Sequence, residues 1–245
     1  MFQANVAPGV HRVEDAYTNW YLVEENGRLT VVDAGVPSSW SSFVEALRAL
    51  GRRPSDVEAV LLTHGHFDHI GFAERARAAL AVPVWVHEND VPLTRHPLQY
   101  AHERSRLPYL ARPRALPIIA ALARARAFWP RGIAEVRRFT EGVLPVPGSP
   151  RVVFTPGHTL GHCALHLADR DVVIAGDALV TLNIYTGERG PQIVAGAATA
   201  DSERALGSLD LLAATGAATL LPGHGEPWTE GSAAAVARAR EAGPS

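Results

Sequence analysis

The amino-acid sequence predicts a layered α/β fold. Three observations point to it. The N-terminal third alternates strand-like and helix-like segments, the same rhythm returns after residue 140, and strands in both halves end in His or Asp at Gly-containing turns. Such alternation is the signature of sheets covered by helices. At 245 residues the chain is long enough to bury a substantial core, since chains of this size hide roughly 70% of their unfolded surface.

In chain order, "NWYLVEENGRLTVVDAG" is two β-rich runs around Asn26-Gly27, a strong hairpin signal, and its second run ends at Asp33. "PSSWSSFVEALRALG" is a helix: Trp40, Phe43, Val44, Leu47 and Leu50 keep helical spacing, a Ser precedes them, and Gly51 stands just past the end. "VEAVLLTH" is a short apolar run of buried-strand type, "GFAERARAALA" is helical and "PVWVH" is another strand. Residues 91–140 differ, being punctuated by Arg and Pro and carrying Tyr100, Tyr109, Phe128 and Trp129. We read them as a helical insertion on the scaffold, with "RALPIIAALARARAFW" as its main helix. "RVVFTPGH", "CALHLAD" and "DVVIAGD" are strands, the last ending in Asp177. "ADSERALGSLDLLAATG" is a helix capped by Asp201, "ATLLPGHG" is a short strand leading into a His-bearing turn, and "SAAAVARAREA" is a closing helix.

Composition narrows the function classes. Net charge is −2, with 23 basic residues, all Arg, against 25 acidic ones. That balance gives no general attraction to nucleic acid or anionic membrane, so neither partner is expected. Cys163 is the lone cysteine, which excludes an intramolecular disulfide and fits a reducing compartment. With no signal-like N-terminal stretch and no run of about 18 apolar residues, a cytoplasmic location is expected.

The densest chemistry is "THGHFDHIG" at residues 63–71, where His64, His66 and His69 are three of only 11 histidines. A solvated loop is the bland alternative. The cluster follows a buried strand, however, and open α/β sheets place ligands at the C-terminal ends of strands. His64 and His66 can converge in a tight turn, and Asp68 and His69, expected to begin the next helix, can turn toward a neighbouring point. Imidazole and carboxylate suit Zn²⁺, and also Fe or Mn. Two ions need more ligands than these, and His158 in "TPGHTLGH", Asp177 in "IAGDAL" and His224 in "LLPGHGEP" sit in matching strand-then-turn contexts.

"THGHFDHIG", "PGHTLGH", "GDAL" and "PGHG", in this order, resemble the metallo-β-lactamase-fold hydrolase superfamily across nearly the whole chain. The resemblance implies a four-layer αβ/βα sandwich over residues 1–245, with the helical insertion at about 91–140. It implies that His64, His66 and His158 bind one divalent cation, that Asp68, His69 and His224 bind the other, and that Asp177 bridges them. Two Zn²⁺ ions are the expected cofactor. Asp33 resembles a carboxylate that braces such ligands, and His162 is expected to support them without ligating. Cys163 is expected to be a small strand residue, and His87 to lie on the surface at a strand end.

The reaction so implied is hydrolysis of an ester, thioester or lactone in a small-molecule substrate by a hydroxide shared between two cations, which lower the pKa of water towards about 7. Asp68 would orient the nucleophile or take its proton. Lactam hydrolysis is the least supported variant. Similar glutathione thioesterases usually carry a C-terminal helical domain, and the one helix expected after His224 weighs against a glutathione thioester without excluding it. Similar lactonases often place a Tyr shortly after the bridging Asp, whereas Tyr185 is eight residues on, so a lactonase stays open. The alternatives are a phosphodiesterase or nuclease of the same fold, an iron-dependent oxidoreductase, and a non-catalytic metal-binding module. The aromatic residues of 91–140 are read as a roof over the metals; core packing or a homodimer interface are the other readings.

Overall fold

The computed structural model describes residues 1–245, apart from the side chain of Leu110. The first half runs β1 (Phe2–Ala7), β2 (Val10–Asp15), β3 (Thr18–Glu25), β4 (Arg28–Val32), α1 (Ser39–Ala49), β5 (Val57–Leu61), α2 (Ala73–Leu80) and β6 (Val84–His87). Then come α3 (Val91–Arg95), α4 (Leu107–Leu110), α5 (Leu116–Arg124) and β7 (Arg137–Phe139). The second half runs β8 (Arg151–Phe154), β9 (Cys163–Leu167), β10 (Val172–Gly176), β11 (Val180–Leu182), β12 (Arg189–Gln192), α6 (Ser202–Ala213), β13 (Thr219–Pro222) and α7 (Ser232–Ala242).

β1 to β7 form one sheet in sequence order, antiparallel up to β4 and parallel from β4 onward. A second sheet has the order β13-β10-β9-β8, and β11 and β12 form a separate hairpin. Alternation of side chains along each strand builds three apolar layers. In β3, Trp20 and Leu22 face α1 and α2, where they meet Phe43, Leu47, Phe72 and Ala76. Tyr21 and Val23 face the other way, into an inter-sheet core with Cys163, Leu165, Val172 and Ile174. In β10, Val173 and Ala175 turn away from that core toward Leu209, Leu212 and Val236 of α6 and α7. The result is helix, sheet, sheet, helix: the four-layer αβ/βα sandwich.

Local chemistry explains the element ends. Asn26 and Gly27 both have positive φ, 49° and 77°, as a two-residue hairpin turn matched to strand twist requires. Past α1, Gly51 N–H bonds Arg48 C=O and Arg52 N–H bonds Leu47 C=O, a Schellman motif that needs the left-handed φ of 65° at Gly51. Asp201 caps α6 by accepting from Arg204 N–H at 2.8 Å.

Three expectations need correcting. The helix expected through Trp129 stops at Arg124, because Arg126 takes φ 62° and a second Schellman pair, Ala127 to Leu122 and Arg126 to Ala123, closes it. That reversal turns Phe128 back onto Phe67, with ring centroids 5.6 Å apart. Residues 137–139, read as part of the insertion, are β7, the edge strand paired parallel to β6. His87 ends its strand as expected but is buried, stacked 4.6 Å from Phe154 in place of lying on the surface.

Candidate metal centre

Parallel pairing brings the chemistry to one edge. β4 and β5 run side by side, with Val32 opposite Leu61, so Asp33 and Thr63 emerge together. β10 and β13 do the same in the other sheet, delivering Asp177 and His224. The loop from β8 to β9 supplies His158. Asp68 and His69 do not begin α2; they lie in a turn closed by His69 N–H and Ile70 N–H on His66 C=O, and the helix starts only at Ala73.

His64, His66, Asp68, His69, His158, Asp177 and His224 are all buried. Their ligand atoms fall into three groups, each within 4.8 Å: His64–His66–His158, His64–His69–Asp177 and Asp68–His69–His224. The middle group shares His64 with the first and His69 with the third, and its third member is Asp177. Its carboxylate lies 3.5 Å from His69 Nε2, 3.4 Å from His158 Nε2 and 3.2 Å from His224 Nε2.

Proton bookkeeping shows why these rings suit cations. Asp33 accepts from Thr63 N–H at 2.8 Å, from the Thr63 hydroxyl at 2.8 Å and from His69 Nδ1–H at 3.0 Å. With its proton so engaged, Thr63 Oγ1 accepts from His64 Nδ1–H at 3.0 Å. His224 Nδ1–H donates to Tyr17 C=O at 2.8 Å, and His158 Nδ1 lies 3.4 Å from Thr199 Oγ1, whose own proton goes to Val194 C=O. In these four rings Nδ1 has a partner behind it, so Nε2 is the nitrogen left for the centre. Buried polar atoms normally find partners. Yet His64 Nε2, His66 Nε2, His158 Nε2 and Asp177 Oδ1 are buried with none. These unpartnered atoms belong to residues whose ligand atoms cluster within 4.8 Å of one another, as metal ligands do, so the residues fit divalent cations.

The electrostatics agree. Burial and neighbouring imidazoles hold His64 and His66 well below the ordinary histidine range, and burial lowers His158 to about 4, so all three are neutral at pH 7. Burial also opposes charge on His69, but Asp177, Asp33 and Asp68 outweigh it and raise that ring to about 10. His224 is raised against burial mainly by Asp177. Burial raises Asp68, whereas the imidazoles of His224, His69 and His158 overcome burial to hold Asp177 well below the carboxylate range.

A family model described as "Metallo-beta-lactamase superfamily" matches residues 13–224. The probable metallo-hydrolase YflN of Bacillus subtilis (strain 168) is 31% identical over 241 residues, covering 91% of this chain and 86% of that protein. The chain belongs to the metallo-β-lactamase superfamily. It is a metal-dependent hydrolase by that membership. Among solved structures, the metallo-β-lactamase family protein TTHA1429 from Thermus thermophilus superposes with TM-score 0.68 at 28% identity, covering 96% of this chain and 78% of that one. TTHA1623, described in a di-iron-bound form, gives TM-score 0.64 at 27% identity, over 93% and 96% of the two chains.

Within this metallo-β-lactamase sandwich, several supporting residues escape a sequence reading. Asp90, just past β6, accepts from Gly65 N–H at 2.9 Å, Thr159 O–H at 2.8 Å and Gly161 N–H at 2.7 Å. It therefore ties the turn between His64 and His66 to the loop carrying His158. The available signal was its place: like Asp33 and Asp177, it follows a buried parallel strand. Arg12, fully buried in β2, donates to Gly225 C=O at 3.0 Å and to Asn19 Oδ1 at 2.9 Å, while Asn19 and Tyr21 bond Pro222 C=O. These contacts bolt down the His224 turn. His162 stands outside the three ligand groups and bonds the backbone of one of their members. Its Nε2 accepts from Asp177 N–H at 3.0 Å, and its Nδ1 pairs with Thr155 Oγ1 at 2.8 Å.

Among the described residues, no helix is long and apolar enough to cross a membrane.

Proposed function

We propose that this protein hydrolyses an ester, thioester or lactone bond in a small molecule, using two divalent cations. His64, His66 and His158 would hold one, Asp68, His69 and His224 the other, and Asp177 would span them. The observation that carries this reading is the set of buried, unpartnered polar atoms on the clustered side chains of His64, His66, His158 and Asp177. Zn²⁺ suits these donors. Iron suits them too, and the similar TTHA1623 is described in a di-iron-bound form.

Bound cations would supply Lewis acidity toward a carbonyl oxygen and toward water. The chain's own groups account for the rest. Asp68, raised by burial and 3.5 Å from His224 Nε2, is placed to take the proton of attacking water and return it to the leaving oxygen or sulfur. The water oxygen bonds the carbonyl carbon as the C–O or C–S bond breaks. Asp33 and Tyr17 hold His69 and His224 in orientation through their Nδ1 protons. Cys163 is no rival nucleophile: burial raises its thiol, and its Sγ points to Gly161 C=O at 3.5 Å. An acyl-enzyme is therefore not expected.

The test is metal quantitation on the purified protein, followed by assay of the loaded enzyme on thioester, lactone, aryl ester, phosphodiester and β-lactam substrates. Two metal equivalents and turnover of one of the first three classes are expected. Cleavage of phosphodiesters alone, or an acyl adduct trapped in mass spectrometry during turnover, would overturn the reading.

A further inference from the structure

Beside the metal centre lies a second, chemically different cavity of about 130 Å³. An engineered apolar cavity of roughly 150 Å³ takes benzene, so this one has room for about one aromatic ring. Its walls include Phe67, Tyr100, Ile119, Phe128 and Tyr185, and its lining holds no carboxylate. The one charged group there is Arg106. The Arg106 guanidinium sits 4.4 Å over the Tyr100 ring, its Nε is buried without a hydrogen-bond partner, and among the described residues no acid pairs with it.

Tyr100 joins this cavity to the metal centre. Its ring packs 4.3 Å from the His66 ring, and it also lines a hollow of about 230 Å³ shared with His66 and His158. Its hydroxyl is fixed 3.1 Å from that of Tyr185. Phe67, on the opposite wall, stands in the chain between His66 and Asp68. A molecule with its reacting carbonyl among the seven candidate ligands therefore has an aromatic-walled recess, with an unpaired cation, next to it.

Resting on the proposed hydrolytic function, we infer that the substrate carries, apart from its scissile bond, a single aryl ring or a branched alkyl group of similar size, bearing a carboxylate. The ring fills the cavity. The carboxylate pairs with Arg106, whose planar fork suits it. Long acyl chains and bicyclic groups exceed the volume of about 130 Å³. Ile119, on α5, lines the recess, and Arg106 selects for the anion.

The test is calorimetric titration of the metal-loaded protein with phenylacetate, acetate and benzyl alcohol, alongside the substrate panel. Phenylacetate should bind more tightly than acetate by on the order of a hundredfold, as expected for an apolar group in a fitted pocket. Ile119→Trp should collapse that ratio toward one. Arg106→Gln should weaken phenylacetate more than benzyl alcohol. Should Ile119→Trp fail to fold, Phe128→Ala serves instead, by shifting preference toward naphthylacetate. Equal binding of phenylacetate and acetate, or a ratio untouched in both cavity variants, would overturn the inference. The two readings fail separately: turnover without aryl preference removes only the pocket, and aryl preference without turnover of any panel substrate removes only the hydrolytic assignment.

Discussion

Asp90 accepts the Gly161 N–H at 2.7 Å across 71 positions of sequence, and the same carboxylate holds the Gly65 N–H. One buried side chain thus sets the separation of two loops that each carry candidate ligands. Burial raises its pKa, and the three donors oppose that rise.

Asp90→Asn keeps the shape but offers an amide N–H where a donor already points. A stability loss of about 1–3 kcal/mol is expected from the unmade buried bond. Metal affinity should fall by ~10–100-fold, as for other groups that orient ligands. Urea unfolding and titration against a competing chelator measure the two effects; a variant indistinguishable from wild type would show that the loops hold themselves.

His66→Ala and Asp177→Ala remove two side chains that each carry a buried polar atom without a hydrogen-bond partner, His66 Nε2 and Asp177 Oδ1. Both should lose bound metal and most activity while the far-ultraviolet circular dichroism stays unchanged, since none of the three apolar layers includes them. Full metal occupancy in either variant would contradict the ligand assignment.

Asp33→Ala strips the acceptor from both His69 and Thr63. Loss of about 10–100-fold in metal affinity is expected, although Asp33 need touch no metal itself. Asp33→Asn should recover part of it, because the amide oxygen can still accept from one of the two. Equal loss in both variants would point to charge, and not the hydrogen bond, as the contribution of Asp33.

Gly223→Ala adds a methyl group that would overlap Asp177 Oδ1 and lie 2.9 Å from His69 Cε1. No candidate ligand is changed, yet metal binding should be lost. Chelator titration of a folded Gly223→Ala protein with wild-type affinity would show that the centre is looser than its packing implies.

Loading should depend on pH unequally. His158, at about 4, and His64 and His66, held well below the ordinary histidine range by burial, are neutral imidazoles at neutral pH, so a cation at Nε2 or Nδ1 there displaces no added proton. His69, at about 10, is protonated through the neutral range and must release that proton before Nε2 can bind a cation. Affinity of the Asp68–His69–His224 group therefore rises with pH, while that of the other group stays nearly flat. Metal titrations should give one tight equivalent near about pH 6 and two near about pH 9. Two equivalents titrating in parallel would refute the difference.

The sequence by itself determined the α/β layering, the Asn26-Gly27 turn, the ends of α1 and the start of α6, and the seven clustered side chains, because local periodicity, turn chemistry and strand-end position are written in neighbouring residues. It also carried Asp33 and His162 as supports. Only the tertiary structure decided which groups stand behind the site. Asp90 and Arg12 act through partners about 70 and 200 positions away, and no local pattern encodes such a pairing. The same holds for the cavity at Arg106 and for the burial of His87. Both arise where Phe128 folds back after α5 and where β6 lies against Phe154, and the shape of a void or the cover over a ring is a property of packed surfaces rather than of any one stretch of chain.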